Sequence, residues 1–87
     1  MTTTNGPYSM AALHATVEVI RARQLFPAMN SAHEGYAVIL EELDELWGHV
    51  KMKQSKRDYA AMRKEAVQVA AMALAFIVEI CDAENRT

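Results

Sequence analysis

The sequence predicts an all-α protein, a three-helix protomer that completes a helical bundle by oligomerisation. Three observations indicate this class. Apolar residues recur at spacings of three and four along long segments, and no segment shows the period-two alternation that is typical of strands. In addition, 52% of the 87 residues are hydrophobic. Because a domain of this size buries only roughly 60 to 65% of its unfolded surface, we expect a homodimer or homotetramer to bury the rest.

The first predicted helix runs from about Ser9 to Leu25, and Pro27 ends it. Its apolar residues share one face at spacings of three and four: Met10, Leu13, Val17 and Ile20. Residues 1–8 are rich in Thr, Asn and Gly and lack the basic and apolar regions of a signal peptide. We therefore expect a flexible N-terminal tail at 1–8 and a single domain over 9–84.

The second predicted helix begins at a capping box, in which Ser31 and Glu34 satisfy amide groups of the first turn. Its apolar residues form a stripe along one face: Tyr36, Leu40, Leu43, Trp47 and Val50. Aromatic residues at helical spacing usually belong to a core. We therefore expect Tyr36 and Trp47 to be buried.

The third predicted helix runs from near Ser55 to about Ala83. Ser55 and Asp58 form a second capping-box pattern, with Asp in place of the usual Glu or Gln. Residues 66–81 are apolar on nearly every face, which is typical of a helix in the middle of an assembly. The link before this helix contains neither Gly nor Pro, so we expect a short turn that makes the second and third helices antiparallel neighbours.

Charge and cysteine content narrow the class of function. The formal net charge is −2, and without a clustered basic face we expect no nucleic-acid partner. The longest apolar run, residues 69–78, is far shorter than the roughly 20 residues of a membrane helix, so we expect a soluble protein with no membrane partner. Cys81 is the only cysteine, and in an apolar run it is expected to be a buried, inert thiol, which fits a cytoplasmic location.

Two acidic motifs carry the candidate chemistry. Glu42 and Glu45 are three residues apart, so their Cβ atoms lie roughly 5 to 6 Å apart on one helix surface, and their charges repel unless a cation lies between them. Glu65 and Gln68 have the same spacing, where the third helix becomes apolar and a carboxylate is costly without a counterion. If the two helices pair antiparallel about a turn near Gln54, the carboxylates converge, and Mg²⁺ prefers such oxygen ligands.

These motifs, EELDE at residues 41–45 and EAVQ at residues 65–68, are similar to the EExxE and ExxD pattern of the MazG-like nucleotide pyrophosphohydrolases. The stretches 33–47 and 69–73 are similar to that family as well, and the resemblance covers about residues 31–80. It implies an all-α dimer or tetramer that uses a metal-activated water to hydrolyse (d)NTPs to monophosphate and pyrophosphate. It implies a Mg²⁺ site, with Mn²⁺ as the alternative, whose ligands are Glu42, Glu45, Glu65 and Gln68. It also implies a catalytic set, which consists of Glu41, Glu42, Glu45 and Glu65.

Gln68 departs from the family pattern, in which this position is an aspartate. The amide oxygen of Gln68 can bind magnesium, but it carries no charge and cannot accept a proton from water as a carboxylate does. Three consequences stay open from the sequence: weaker metal binding, one metal instead of two, or a protein that binds nucleotide without hydrolysing it.

His49 and Lys53 follow Glu45 at successive turns of the same face and are candidate contacts to the substrate phosphates. The alternative for both is an exposed polar residue without such a role. The rival function for the chain is a non-catalytic helical oligomerisation or nucleotide-binding module, whose glutamates form a solvated acidic face. A ferritin-like di-iron site is not expected, because it requires Glu-x-x-His pairs and Glu45 and His49 are one residue further apart.

Overall fold

The computed structural model describes residues 5–85, which form an all-α fold without strands in that part of the chain. Three long helices make up most of it: α1 (Gly6–Leu25), α2 (Ala32–Val50) and α3 (Tyr59–Phe76). A π-helical segment (Ile77–Asp82) and a last helical turn, α4 (Ala83–Asn85), continue α3. The predicted all-α class with three long helices is therefore confirmed. Over the same residues, no helix is both long enough and apolar enough to cross a membrane.

The first helix begins earlier than the sequence predicted. It starts at Gly6 rather than Ser9, and Pro7 lies in its first turn, where the missing N–H has no partner to lose. Residues 6–8 of the predicted tail are therefore helical, and residues 1–4 of that tail lie outside the described residues.

The capping box of α2 is confirmed on its serine side. The Ser31 hydroxyl oxygen accepts from the Glu34 amide at 3.1 Å. The Glu34 carboxylate reaches one residue further back than predicted, since it accepts from the backbone N–H of Asn30 at 3.2 Å and from the Asn30 side chain at 3.3 Å. Both interactions fix the chain where it enters α2.

The predicted start of α3 at Ser55 is wrong. Ser55 lies in a turn of 3₁₀ helix (Gln54–Lys56), and Asp58 is the N-cap, accepting from the Ala61 amide at 3.1 Å. Aspartate is as good an N-cap as serine. Arg57 donates to the carbonyl oxygen of Val50 from Nε at 3.2 Å and from Nη2 at 2.7 Å, which holds the link against the end of α2 and moves the cap to the next residue.

The hydrophobic core lies around α3, because α1 and α2 both pack against this helix. Its buried residues are Ala71, Met72 and Ala75 of α3 and Met29 of the α1–α2 loop. The first two helices add half-buried residues, among them Val19, Ala22, Val38 and Ile39. The apolar third helix is therefore the central helix of the protomer.

The apolar stripes of α1 and α2 do not face this core. Tyr36 and Trp47, which were predicted to be buried, are 64% and 57% exposed, and the other stripe residues that are also exposed are Met10, Leu13, Val17, Ile20, Leu40 and Leu43. The reason is that α1 and α2 turn small residues inward: Ala15 and Gly35 are buried. Small side chains permit close helix packing, and the large ones are left outside.

The prediction that Cys81 is buried is also wrong, because the thiol is exposed. It lies in the π-helical segment, where Ile80 packs against the core and Glu79 is half-buried. These two residues take the inner side of the segment, so Cys81 falls on its outer side.

Candidate metal centre

Three glutamates from the two acidic motifs meet where α2 packs on α3. Glu42 and Glu45 of α2 and Glu65 of α3 each offer one carboxylate oxygen, and these three oxygens lie within 4.8 Å of one another. We call these residues the acidic cluster. Helix periodicity brings the first two together, and the packing of the helices adds the third.

The electrostatics of the acidic cluster are unfavourable without a cation. Glu42 and Glu65 are half-buried, whereas Glu45 is exposed. The pKa of the Glu42 carboxyl is raised to about 6, first by desolvation and then by the charges of Glu45 and Glu65, with a hydrogen bond to Glu45 adding to the effect. Like charges that share a site favour the protonated form, and a bound cation would remove this repulsion.

The donor set fits a hard divalent cation. Magnesium binds oxygen ligands at 2.0–2.1 Å in octahedral geometry, so neighbouring ligands of one ion lie about 2.9 Å apart and opposite ligands about 4.2 Å apart. Three ligands include at least two neighbouring pairs, so carboxylate oxygens at up to 4.8 Å need to close by up to about 2 Å, which rotation of flexible glutamate side chains supplies. Carboxylates suit Mg²⁺ and Mn²⁺. Within residues 5–85, no other group of three or more His, Cys, Asp or Glu side chains lies close enough to hold a metal.

Gln68, the fourth predicted ligand, interacts with α1. It is half-buried, and its amide donates to Glu18, whose pKa is lowered by hydrogen bonds from Arg21 and then from Gln68. An amide that donates its N–H to one partner keeps its carbonyl oxygen as an acceptor for another. The sequence analysis missed Glu18, because its spacing from Arg21 is that of an ordinary surface ion pair on one helix.

The remaining predicted site residues lie around the acidic cluster. Glu41 is exposed at the neighbouring position of α2, His49 is half-buried in the last turn of that helix, and Lys53 is exposed in the link that follows. Among the described residues, neither His49 nor Lys53 donates a side-chain hydrogen bond to a cluster glutamate. Their contact with substrate phosphates stays a prediction.

A cavity of about 410 Å³ opens beside Glu42, between α1, the α1–α2 loop, α2 and α3. We call it the Glu42 cavity. Glu41 and Gln68 also line it, so it adjoins the acidic cluster on one side. Apolar residues form much of the remaining wall: Ala22, Leu25, Phe26, Pro27, Met29, Val38 and Met72.

An ion pair fixes the loop wall of the Glu42 cavity. Arg23 of α1 donates from Nε and Nη2 to the two carboxylate oxygens of Glu79, each at 2.6 Å, and the Met29 amide donates to the same carboxylate at 3.0 Å. The pKa of Glu79 is lowered, chiefly by the hydrogen bond from Arg23. Sequence reasoning missed this contact, although Glu79 in an apolar run was a signal, since a carboxylate there requires a partner.

No family model, curated protein or solved structure matches the chain. The acidic cluster, the adjoining cavity and the motif resemblance are therefore the features that indicate a function.

Proposed function

We propose that this chain is a Mg²⁺-dependent nucleotide pyrophosphohydrolase that converts a (d)NTP to the monophosphate and pyrophosphate. The single observation that carries the proposal is the convergence of Glu42, Glu45 and Glu65 within 4.8 Å. A solvated acidic face, the alternative, does not require carboxylates from two helices to approach one another with two of them half-buried. Such an arrangement is costly unless a cation repays it.

Each residue has a distinct role in this proposal. Glu42, Glu45 and Glu65 hold the cation, and the amide oxygen of Gln68 adds an uncharged ligand. A bound Mg²⁺ supplies a Lewis acid that neutralises phosphate charge and activates water. Glu41, exposed next to the cluster, matches the first, less essential glutamate of the catalytic set that the MazG-like resemblance implies.

Two residues that follow Glu45 in sequence contact the phosphate end of the substrate. His49 and Lys53 contact the departing pyrophosphate, as the sequence predicted, because donors and cations stabilise phosphate oxygens. The cytoplasmic location belongs to the same proposal, and it rests on the single cysteine.

Association of several copies is part of the proposal, together with an antiparallel arrangement of α2 and α3. The exposed apolar stripes of α1 and α2 support association, because monomeric proteins rarely leave large apolar patches in contact with water. The packing of α2 on α3 across the link at 51–58 supports the antiparallel pair. A bundle made from two or four copies would cover both stripes.

The proposal is tested by following pyrophosphate release from a panel of NTPs and dNTPs with and without Mg²⁺. We expect release that requires Mg²⁺ and that falls at least about 100-fold in Glu45→Gln, since loss of even an outer-shell partner costs roughly 10- to 100-fold. Asp44→Asn is the matched control, because Asp44 is exposed on the same helix but lies outside the acidic cluster. An equal fall in the rate of pyrophosphate release in the two variants, or no release from any nucleotide, would contradict the proposal.

A second candidate is a helical module that binds the Mg²⁺–nucleotide complex without hydrolysing it. The uncharged Gln68 at a ligand position favours it, because an amide cannot accept a proton from water as a carboxylate does. This candidate gives no pyrophosphate, yet nucleotide with Mg²⁺ would still raise the melting temperature of the wild type and not that of Glu45→Gln.

A further inference from the structure

We propose that the Glu42 cavity binds the uncharged half of the nucleotide, its base and sugar, while the phosphates stay outside at the acidic cluster. The identity of the ligand rests on the proposed function. The assignment of the two halves rests on the size, walls and charges of the cavity.

Size and wall chemistry suit a nucleoside. The volume of about 410 Å³ falls within the roughly 300 to 1,000 Å³ of small-molecule sites. Val38 of α2, Met72 of α3 and Phe26 of the loop present apolar surface from three sides. A flat aromatic base gains from such contact, and a thioether adapts well to an aromatic face.

The charges around the cavity exclude the phosphate chain from it. Four carboxylates and two guanidinium groups are among the described residues that line it. Both guanidinium groups are already paired: Nε of Arg21 lies 3.1 Å from Glu18, and Nε of Arg23 lies 2.6 Å from Glu79. The lining therefore offers a phosphate no unpaired cation, and its excess of carboxylates repels a polyanion.

Glu42 lies at the boundary between the acidic cluster and the Glu42 cavity, so it determines which half of the nucleotide lies on which side. It belongs to the acidic cluster and also lines the cavity. A nucleotide whose triphosphate is held by a cation at the cluster can therefore extend its base and sugar into the adjoining cavity. One nucleotide then occupies the acidic cluster and the Glu42 cavity together, without a change of fold.

The first test uses nucleosides, which carry no phosphate and need no metal. Met29 and Met72 line the cavity, whereas Met10, Met52 and Met62 do not. With ¹³C-methyl-methionine protein, we expect adenosine, guanosine, cytidine or uridine to shift the methyl resonances of the first pair and leave the others in place. Mg²⁺ with tripolyphosphate should leave the first pair in place. Shifts of the first pair with tripolyphosphate and not with nucleosides would overturn the assignment.

The second test narrows the cavity by mutation. Ala22→Phe should raise KM for the preferred nucleotide at least about tenfold, as expected when a pocket no longer accepts part of its ligand. Ala12→Phe is the control, because it adds the same ring to an exposed position of α1 away from the cavity. If Ala22→Phe does not fold, the methionine experiment on the wild type still decides whether the cavity binds the nucleoside.

The outcomes separate this inference from the proposed function. Nucleoside-dependent shifts without any pyrophosphate release support the cavity assignment and reject the hydrolase. Pyrophosphate release with unshifted Met29 and Met72 methyls, or with the same KM for Ala22→Phe and Ala12→Phe, rejects the cavity assignment and leaves the hydrolase standing.

Discussion

Glu42 is the residue at which the protonation state of the folded protein is linked to the proposed cation binding. Its pKa is raised from the ordinary 4.5 to about 6, with desolvation as the main cause. A raised folded-state pKa means that the folded chain holds the proton more tightly than the unfolded chain. The stabilisation is full below about pH 4.5 and is lost as the pH rises through about 6. A cation at the acidic cluster acts in the opposite sense, because it favours the ionised carboxylate.

We expect the metal-free wild type to lose more thermal stability between pH 4.5 and 6.5 than Glu42→Gln does, because the amide does not titrate. Mg²⁺ should raise the melting temperature of the wild type more at pH 7 than at pH 5. Thermal unfolding against pH, with a chelator and with Mg²⁺, measures both effects. The difference between the two proteins isolates Glu42, and parallel curves would refute the expectation.

Among single residues, the sequence predicted the residues of the acidic cluster better than the residues that surround them. Glu42 and Glu45 could be paired because helix periodicity fixes neighbours at a spacing of three. Glu18 and Glu79 could not be assigned, because their partners Gln68 and Arg23 lie on other parts of the chain and only tertiary packing brings them together. Local rules therefore predicted the pair of glutamates on α2, and helix packing decided what surrounds them.

At the scale of the helices, α2 packs closely against α3 and the α1–α2 loop at Gly35. A Cβ atom at this position would lie 2.6 Å from Cδ2 of Phe76 and 3.0 Å from the sulfur of Met29. Glycine inside a helix is about 1 kcal/mol less favourable than alanine. The close packing of α2 against the core offsets that cost.

Gly35→Ala is expected to lower the free energy of unfolding by roughly 1–3 kcal/mol, the usual effect of overpacking a core, despite the better helix propensity of alanine. Gly48→Ala is the matched control on the same helix, because an added Cβ there meets nothing within 4 Å. It should raise the free energy of unfolding by up to about 1 kcal/mol. Urea denaturation measures both, and two variants stabilised alike would show that Gly35 is not at a close contact.

The helices were predictable as elements, but the starts of α1 and α3 were not. Apolar periodicity is a local property, so all three long helices appear near their predicted positions. Ser55 and Asp58 are both competent caps, and the bonds from Arg57 to Val50, which no local rule specifies, accompany the choice of Asp58. The π-helical segment had no sequence signal, since its neighbours are apolar on all sides.

At the scale of the whole molecule, the protomer carries two exposed apolar stripes, one on α1 and one on α2. The eight exposed residues of these stripes are between 41% and 64% exposed in the single protomer. Fully burying one such side chain contributes roughly 1.5–3 kcal/mol, so a partner that covered even a few of them would bind tightly. A second copy presents the same stripes, and a symmetric contact can cover them in pairs.

We therefore expect the purified chain to sediment as a dimer or tetramer of the 9.7 kDa protomer. Trp47→Glu should shift it toward the monomer, because the substitution places a charge on the α2 stripe where an interface excludes water. Ala66→Glu is the control, since it adds the same charge at an exposed position outside the stripes. Sedimentation equilibrium at micromolar concentration distinguishes the monomer from the dimer and the tetramer. A wild type that stays monomeric would remove association from the proposed function, and the exposed stripes would then require a different partner.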